Sequence, residues 1–153
     1  VQPLDQPSNS ALYVQGPVQT AVSNATIPST YLGAKVIDSS LSRLTPSTGT
    51  WNLATGNYGT PAAGTYLMFV KIGASNVASL SSIGSVVNET NASVTPVVCQ
   101  ANAAVSGSGT IDSPNLTQMC YYTTDGTKTL YGWFRSDGAV TTVTSNVILV
   151  RLN

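Results

Sequence analysis

The sequence predicts an all-β protein, an antiparallel jelly-roll-like sandwich of about eight to ten short strands. Short apolar segments recur along the chain, and Gly, Pro, Ser and Asn separate them at intervals of roughly 8–12 residues, a spacing typical of sandwiches and barrels. No stretch keeps a helical apolar period for about 11 residues between recognisable start and stop signals.

The length of 153 residues fits one domain. Residues 1–10 hold two prolines and few apolar side chains, so we expect a Pro-rich linker or hinge there and a single sandwich domain over residues 11–153. The chain starts at Val1 without a leader segment, and its last apolar segment ends just before Asn153. We therefore expect an excised or processed product with a natural C-terminus.

The first apolar segments after residue 30 predict strands at Tyr31–Ile37 and Gly49–Leu53. Between them, Ile37, Leu41 and Leu44 have the i, i+4, i+7 spacing of one helix face. The segment is rich in Ser and a proline follows it, so any helix here would have only one or two turns.

The clearest single strand is Gly64–Ile72. Its two faces are both apolar, which predicts that it lies between two layers, either inside a sandwich or at an oligomer interface. One face carries Tyr66, Met68, Val70 and Ile72, and the other carries Leu67 and Phe69.

The chain between Gly73 and Pro114 is rich in small and polar residues, and it predicts short strands at Ser85–Val87 and Val94–Cys99 with long loops around them. The C-terminal third predicts a meander of three strands, because an Asp-Gly pair between apolar segments is a strong hairpin signal. Its strands are Leu116–Thr124, Lys128–Arg135 and Val140–Leu152, and its turns are Asp125-Gly126 and Asp137-Gly138.

Charged residues make up only 8% of the chain and cancel to a net charge of zero, while 39 Ser and Thr residues supply polarity. A neutral chain with scattered cations lacks the electrostatic footprint of a nucleic-acid partner. The longest apolar run, Tyr66–Val70, is far shorter than the ~20 residues of a membrane span. We expect no nucleic-acid partner and no membrane insertion.

Catalytic patterns are absent from the sequence. There is no His to serve as a general base or metal ligand. No Ser sits in a Gly-x-Ser-x-Gly elbow, and the acidic residues are dispersed rather than paired. We expect no enzyme activity, no cofactor and no metal cluster, although calcium held by loop carbonyls would leave no sequence pattern.

Two cysteines, Cys99 and Cys120, have two equally acceptable interpretations. A disulfide would close a loop of about 20 residues and contribute roughly 3 kcal/mol in the chain-entropy model. Two free buried thiols would instead act as small hydrophobic side chains. The choice depends on the redox compartment, which the sequence does not reveal.

Five of the chain's 11 aromatic residues lie in the two segments that flank the Asp125-Gly126 turn. In a hairpin they would form a cross-strand ladder, with Tyr131 and Trp133 on one face and Arg135 beyond them. Such a ladder predicts a docking platform for a sugar or a protein, and ordinary core packing is the competing interpretation. The five are Tyr121, Tyr122, Tyr131, Trp133 and Phe134.

Attachment to a partner is expected at loops on the outer end of the sandwich, because loops carry recognition while strands hold them rigid. The two Asp-Gly turns should lie at opposite ends, with one facing outward. Each polar contact there would contribute only about 0.5–1.5 kcal/mol and would matter when many copies act together. The candidate receptor or glycan contacts are Tyr122, Tyr131, Trp133, Asp125 and Asp137.

The segment Gly59–Val70 resembles the Pro-x-x-Gly-x-Tyr-x-Phe strand start of jelly-roll domains of the complement-globular-head and tumour-necrosis-factor type. Pro61, Gly64 and Tyr66 occupy this pattern, and Met68 stands where an aromatic residue is usual. The resemblance implies a jelly roll and, as one alternative, a trimeric binding domain.

The whole chain is similar in style to the protruding domain of small non-enveloped virus coat proteins, as in nodaviruses and tombusviruses. The shared features are a Pro-rich hinge at Val1–Pro7, a loop-rich segment at Gly73–Pro114 and a final apolar strand at Val147–Asn153. This resemblance implies an extracellular spike on the virion surface that forms dimers or trimers and meets a host receptor or glycan. The alternative is a carbohydrate-binding or adhesin-type module of a phage tail or secreted protein.

Overall fold

The computed structural model describes residues 31–44, 46, 49–75, 77, 81–105, 111–138 and 140–153, and the predicted linker at 1–10 lies outside them. The described chain forms eight strands in two antiparallel four-stranded sheets, which confirms the predicted all-β sandwich. The strands are β1 (Lys35–Leu44), β2 (Asn52–Leu53), β3 (Gly64–Ser75), β4 (Ser81–Asn88), β5 (Cys99–Val105), β6 (Ile111–Thr124), β7 (Tyr131–Ser136) and β8 (Thr142–Arg151).

The strand pairing is that of a rolled antiparallel ribbon. β1 pairs with β8, β2 with β7, β3 with β6 and β4 with β5. Rolling the ribbon brings β8 beside β3 and β7 beside β4, so the sheets have the orders β1-β8-β3-β6 and β2-β7-β4-β5. This arrangement is a jelly roll, in which most pairs join strands that are distant in the sequence.

The inner face of β3 forms the centre of the core. Its four large side chains are fully buried, each with 0% of its surface exposed, and the second sheet covers them with Phe134 and other apolar residues. The predicted alternation of β3 is therefore confirmed on the core side. The buried row is Tyr66, Met68, Val70 and Ile72.

A disulfide between Cys99 and Cys120 joins the two sheets at one edge of the sandwich. Cys99 begins β5 and Cys120 lies in β6, the last strands of their sheets, and their Cα atoms are 5.8 Å apart. Of the two interpretations of the cysteines, the structure has the bridge.

Along the same edge, Pro114 falls where the β3–β6 register shifts, and a proline is tolerated in an edge strand because no ladder hydrogen bond depends on it.

The short helix suggested by Ile37, Leu41 and Leu44 is wrong, because this segment is part of the ten-residue strand β1. Ile37 and Leu41 are also an even number of residues apart, so they share the inner face of a strand as readily as a helix face. Leu44 does not share that face and is 68% exposed. Pairing with β8 along nearly its whole length decides the conformation.

The predicted C-terminal meander is also wrong. β6 and β8 lie in the first sheet and β7 lies in the second, so the chain crosses between sheets at Asp125-Gly126 and again at Asp137-Gly138. Asp-Gly supplies a tight turn in either case, and it does not specify whether the flanking strands pair with each other. Two other predicted strands have different bounds in the structure. The strand predicted at Val94–Cys99 begins only at Cys99, as β5, and Val94–Val98 is a loop. The strand predicted at Gly49–Leu53 is shorter and consists of β2 alone.

The described chain enters and leaves the sandwich at the same end. The Gly33 amide donates to the Arg151 carbonyl at 2.8 Å, and the Arg151 amide donates to the Ala34 carbonyl at 2.9 Å. The Asp125-Gly126 turn packs at this near end, where a Cβ at Gly126 would lie 2.7 Å from the Ala63 nitrogen. Because β7 spans the sandwich, the Asp137-Gly138 turn lies at the far end, and the predicted opposite placement of the two turns is confirmed.

Tyr58 carries a hydroxyl group into the core. The side chain is 4% exposed, and its hydroxyl faces those of Ser85 and Ser145, which are also buried. Burial raises the pKa of Tyr58 to about 12, because the phenolate would be poorly solvated there.

Removing the disulfide should lower the free energy of unfolding by about 3 kcal/mol, because a loop of this length then regains its freedom in the unfolded chain. Urea unfolding followed by circular dichroism, with and without reductant, measures the loss. A Cys99→Ala/Cys120→Ala variant should match the reduced protein and should not respond to reductant. Equal midpoints in the reduced and oxidised proteins would contradict a stabilising bridge.

The raised pKa of Tyr58 predicts alkaline destabilisation. The folded-state pKa is about 12 and the ordinary value is 10.0, so the contribution of the neutral phenol is complete below pH 10 and is lost as pH rises toward 12. Urea unfolding across this range should show stability falling more steeply in the parent protein than in Tyr58→Phe. Tyr121→Phe is the matched control, since Tyr121 is 69% exposed, and it should retain the parent slope.

Candidate functional site

The structure separates the predicted aromatic ladder into three environments. Tyr121 and Tyr122 belong to β6 in the first sheet, whereas Tyr131, Trp133 and Phe134 belong to β7 in the second. No ladder joins them, because β6 and β7 are consecutive in sequence and not paired in space. Tyr121 points outward from the first sheet and Tyr131 and Trp133 from the second, while Tyr122 and Phe134 face the core.

Tyr122 is a core residue at the near end. It is 4% exposed, and its ring stacks on Tyr66 with centroids 6.4 Å apart and planes 29° apart. Its hydroxyl donates to Glu89 Oε1 at 3.0 Å, and burial raises the pKa of Tyr122 to about 12. This side chain supports the fold and offers little surface to a ligand.

Asp125 organises its own turn. Its Oδ1 accepts hydrogen bonds from the Thr127 amide at 2.9 Å and the Thr127 hydroxyl at 2.6 Å, and these bonds lower the pKa of Asp125. The residue also lines an open cleft of about 430 Å³ with Glu89 and Lys128. This cleft lies at the near end, where Gly33 and Arg151 are hydrogen-bonded to each other.

Tyr131 and Trp133 share the outer face of the second sheet with Arg135, as predicted. The Trp133 indole donates its N–H to the Thr90 carbonyl at 3.3 Å, so this ring is held against the loop between β4 and β5. Asn88, which is fully buried, holds the same loop by donating to the Ser93 carbonyl at 2.6 Å. Trp133 therefore holds a loop against the sheet, which agrees with ordinary packing, the interpretation that competes with a docking platform.

Asp137 forms part of a different cluster at the far end. Its carboxylate accepts two hydrogen bonds from Arg135, from Nε at 3.0 Å and from Nη2 at 2.8 Å, and this pairing lowers the pKa of Asp137. The Arg135 guanidinium in turn lies 5.9 Å from the ring centre of Trp51. Sequence reasoning missed Trp51, although its position in the predicted segment Gly49–Leu53 was the available signal.

Gly84 makes room for Trp51. A Cβ at Gly84 would lie 2.9 Å from the far edge of the Trp51 indole and 2.7 Å from Asn102 Oδ1. The indole therefore reaches from the β2 side across β7 to β4, over a position that must lack a side chain. We call Trp51, Gly84, Asn102, Arg135 and Asp137 the Trp51 platform.

The outer face of the first sheet carries a second feature, two rows of apolar side chains across β8, β3 and β6. Tyr121 is 69% exposed, Met119 is 56% exposed, and the others are half-buried. This is the outer face of the two-faced strand predicted from the sequence. The double row consists of Val150, Leu67 and Tyr121 in one register line and Ile148, Phe69 and Met119 in the next.

Within the described residues, no three His, Cys, Asp or Glu side chains come close enough together to hold a metal ion. None of the described residues forms a helix with the length and apolar character needed to cross a membrane.

Comparison with known proteins gives little further information. No protein-family model matches the chain, and no curated protein matches its sequence. Among solved structures, the Eiger TNF of S. frugiperda is similar over 80% of this chain and 89% of its own, with 14% identity and a TM-score of 0.40. A similarity at this level supports no inference about function.

Adding a methyl group at Gly84 should displace Trp51 and Asn102, because both lie closer to it than van der Waals contact allows. We expect Gly84→Ala to shift the tryptophan fluorescence and to cost about 1–3 kcal/mol of stability. Ser82→Ala, on the same face of the same strand, is the matched control. An unchanged emission spectrum in Gly84→Ala would contradict the described seat of the indole.

Proposed function

We propose that this chain is an extracellular attachment domain of the kind that protrudes from the coat of small non-enveloped viruses. Copies associate through the double row, and the far end meets a host receptor or glycan. The observation that carries the proposal is the exposed apolar double row on the outer face of the first sheet.

The size of the double row fits the centre of a protein interface. Its rows are three strands wide, roughly 10 Å between the outer strands. Apolar patches of this extent on soluble domains commonly mark association sites, and a stable interface buries about 800 Å² per partner around such a centre. Polar and charged residues of the neighbouring register lines would form its rim: Asn146, Lys71 and Thr117 on one side and Thr123 on the other.

A second copy is the partner that fits this surface. The chain has zero net charge, so copies approach one another without mutual repulsion. The double row lacks charged side chains and is complementary to an equally apolar surface, which another copy presents with the same residues. Contact between the same residues on two copies forms a dimer, and a trimer would place the double row against a different surface of the neighbouring copy.

The disulfide supports an extracellular location, since such bridges persist in oxidising environments. The described chain begins at Tyr31, at the near end of the sandwich. We therefore assign the far end, with its Trp51 platform, to the outward side of the spike.

We propose no catalytic role. Of the acidic residues, Asp38 is paired with Lys35 at 2.7 Å, Asp125 caps its turn, and Asp137 is paired with Arg135. Each therefore has a structural partner, and the chain has no His. The competing function is a monomeric carbohydrate-binding or adhesin-type module, which would share the platform and leave the double row without a partner copy.

Light scattering tests the self-association. The parent protein should form a dimer or trimer at micromolar concentration, and Phe69→Ser/Met119→Ser should be monomeric with similar unfolding behaviour. Leu44→Ser is the matched control, because Leu44 is an exposed apolar residue on β1 outside the double row. A monomeric parent protein, or a variant that still associates, would contradict the interface.

Electron microscopy of the parent assembly tests the placement on a virion. The proposal expects the domain on the outer surface of the particle with the Asp137 turn outward. A domain found inside the particle, or with its far end buried, would contradict the attachment function.

A further inference from the structure

We propose that the Trp51 platform binds a neutral pyranose sugar. The inference rests on the proposed attachment function, and it assigns the ligand contact to the outer face of the second sheet near its far end. Four of the five residues that were predicted from the sequence as contacts lie elsewhere or have packing roles, whereas Asp137 belongs to this platform.

The apolar part of the site is the Trp51 indole. The Arg135 guanidinium lies over part of the ring, 5.9 Å from its centre, and Gly84 fixes where the far edge lies. The ring is half-buried, so the part that these neighbours leave uncovered stays in contact with solvent. A pyranose ring has an apolar face made of C–H groups, and an indole offers a large rigid surface for that face at low entropic cost.

The polar part is the pair formed by Arg135 and Asp137. A guanidinium has five N–H donors, and two of them serve Asp137, so donors remain beside a carboxylate that still accepts. Vicinal hydroxyl groups of a sugar each donate and accept, and they match a donor and an acceptor held side by side. The mutual pairing also fixes the geometry before a ligand arrives, which lowers the entropic cost of binding.

Asn102 adds an amide at the same place. Its Oδ1 accepts from Gln100 Nε2 at 3.2 Å, while its own N–H groups make no hydrogen bond within the described chain. The side chain lies beside Gly84, opposite the indole edge. An unpaired donor next to an aromatic ring gives the site a further contact for a hydroxyl or an acetamido oxygen.

The charge of the platform favours a neutral ligand. It contains one cation and one anion, already joined in a two-bond pair. A sulfated or carboxylated sugar would have to compete with Asp137 for Arg135 and would lie beside an unpaired carboxylate afterwards. A neutral sugar keeps the pair intact and uses its outer atoms.

The location of the platform suits weak binding by many copies. It lies on the sheet opposite the double row, so association through that face leaves every platform accessible. A shallow site with one ring and a few hydrogen bonds fits dissociation constants near 1 mM, about 4 kcal/mol, and an assembly gains by engaging several such sites at once.

Saturation-transfer NMR on the full chain tests the inference. The neutral probes are cellotriose, maltotriose, lactose and triacetylchitotriose, and the acidic probes are 3′-sialyllactose and a heparin hexasaccharide. We expect millimolar binding of at least one neutral probe, and about tenfold weaker binding or more in Trp51→Ala and in Asp137→Asn. Asp137→Asn removes one charge at an exposed position, so it keeps the test informative if Trp51→Ala folds poorly.

Thr144→Ala, an exposed position on the other sheet, is the control and should bind like the parent. The inference is overturned if no neutral probe binds, if only acidic probes bind, or if neither platform variant weakens binding. Light scattering on the same samples reads self-association separately. A protein that associates but binds no sugar contradicts this inference alone. A monomeric protein that binds sugar contradicts the proposed self-association and supports the sugar site at the Trp51 platform.

Discussion

The register of β3 against its two neighbours is the constraint on which both surfaces depend. β3 pairs with β8 on one side and β6 on the other, and its inner row, from Tyr66 to Ile72, is fully buried. Side chains alternate along a strand, so a slip of one residue would exchange the inner and outer rows. The same pairing that buries the inner row therefore aligns Leu67 and Phe69 with exposed residues of β6 to form the double row.

The sequence was sufficient for the fold class and for β3, because alternation and turn residues are local signals. It was not sufficient for the pairing. In a rolled ribbon β1 pairs with β8 and β2 with β7, and nothing local to those segments names a partner more than 70 residues away. The meander error has this origin, since Asp125-Gly126 forms the same tight turn whether the next strand joins the same sheet or crosses to the other.

Local sequence signals were even less able to predict which residues form the candidate site. The Trp51 platform draws on residues beside or within β2, β4, β5 and β7, so its members are scattered between positions 51 and 137. The predicted cluster, in contrast, was close in sequence and is divided between two sheets. Trp133 keeps its predicted face and its aromatic character, but its N–H bond to Thr90 commits it to a loop.

The neighbouring positions of Gly33 and Arg151 have a consequence for protein engineering. These residues are hydrogen-bonded to each other, so the sandwich between them begins and ends at almost one point in space. A unit with that geometry replaces a surface loop of another protein without pulling the two sides of the loop apart. The domain is therefore suited to display on an unrelated scaffold, where the number and spacing of copies are set by the designer.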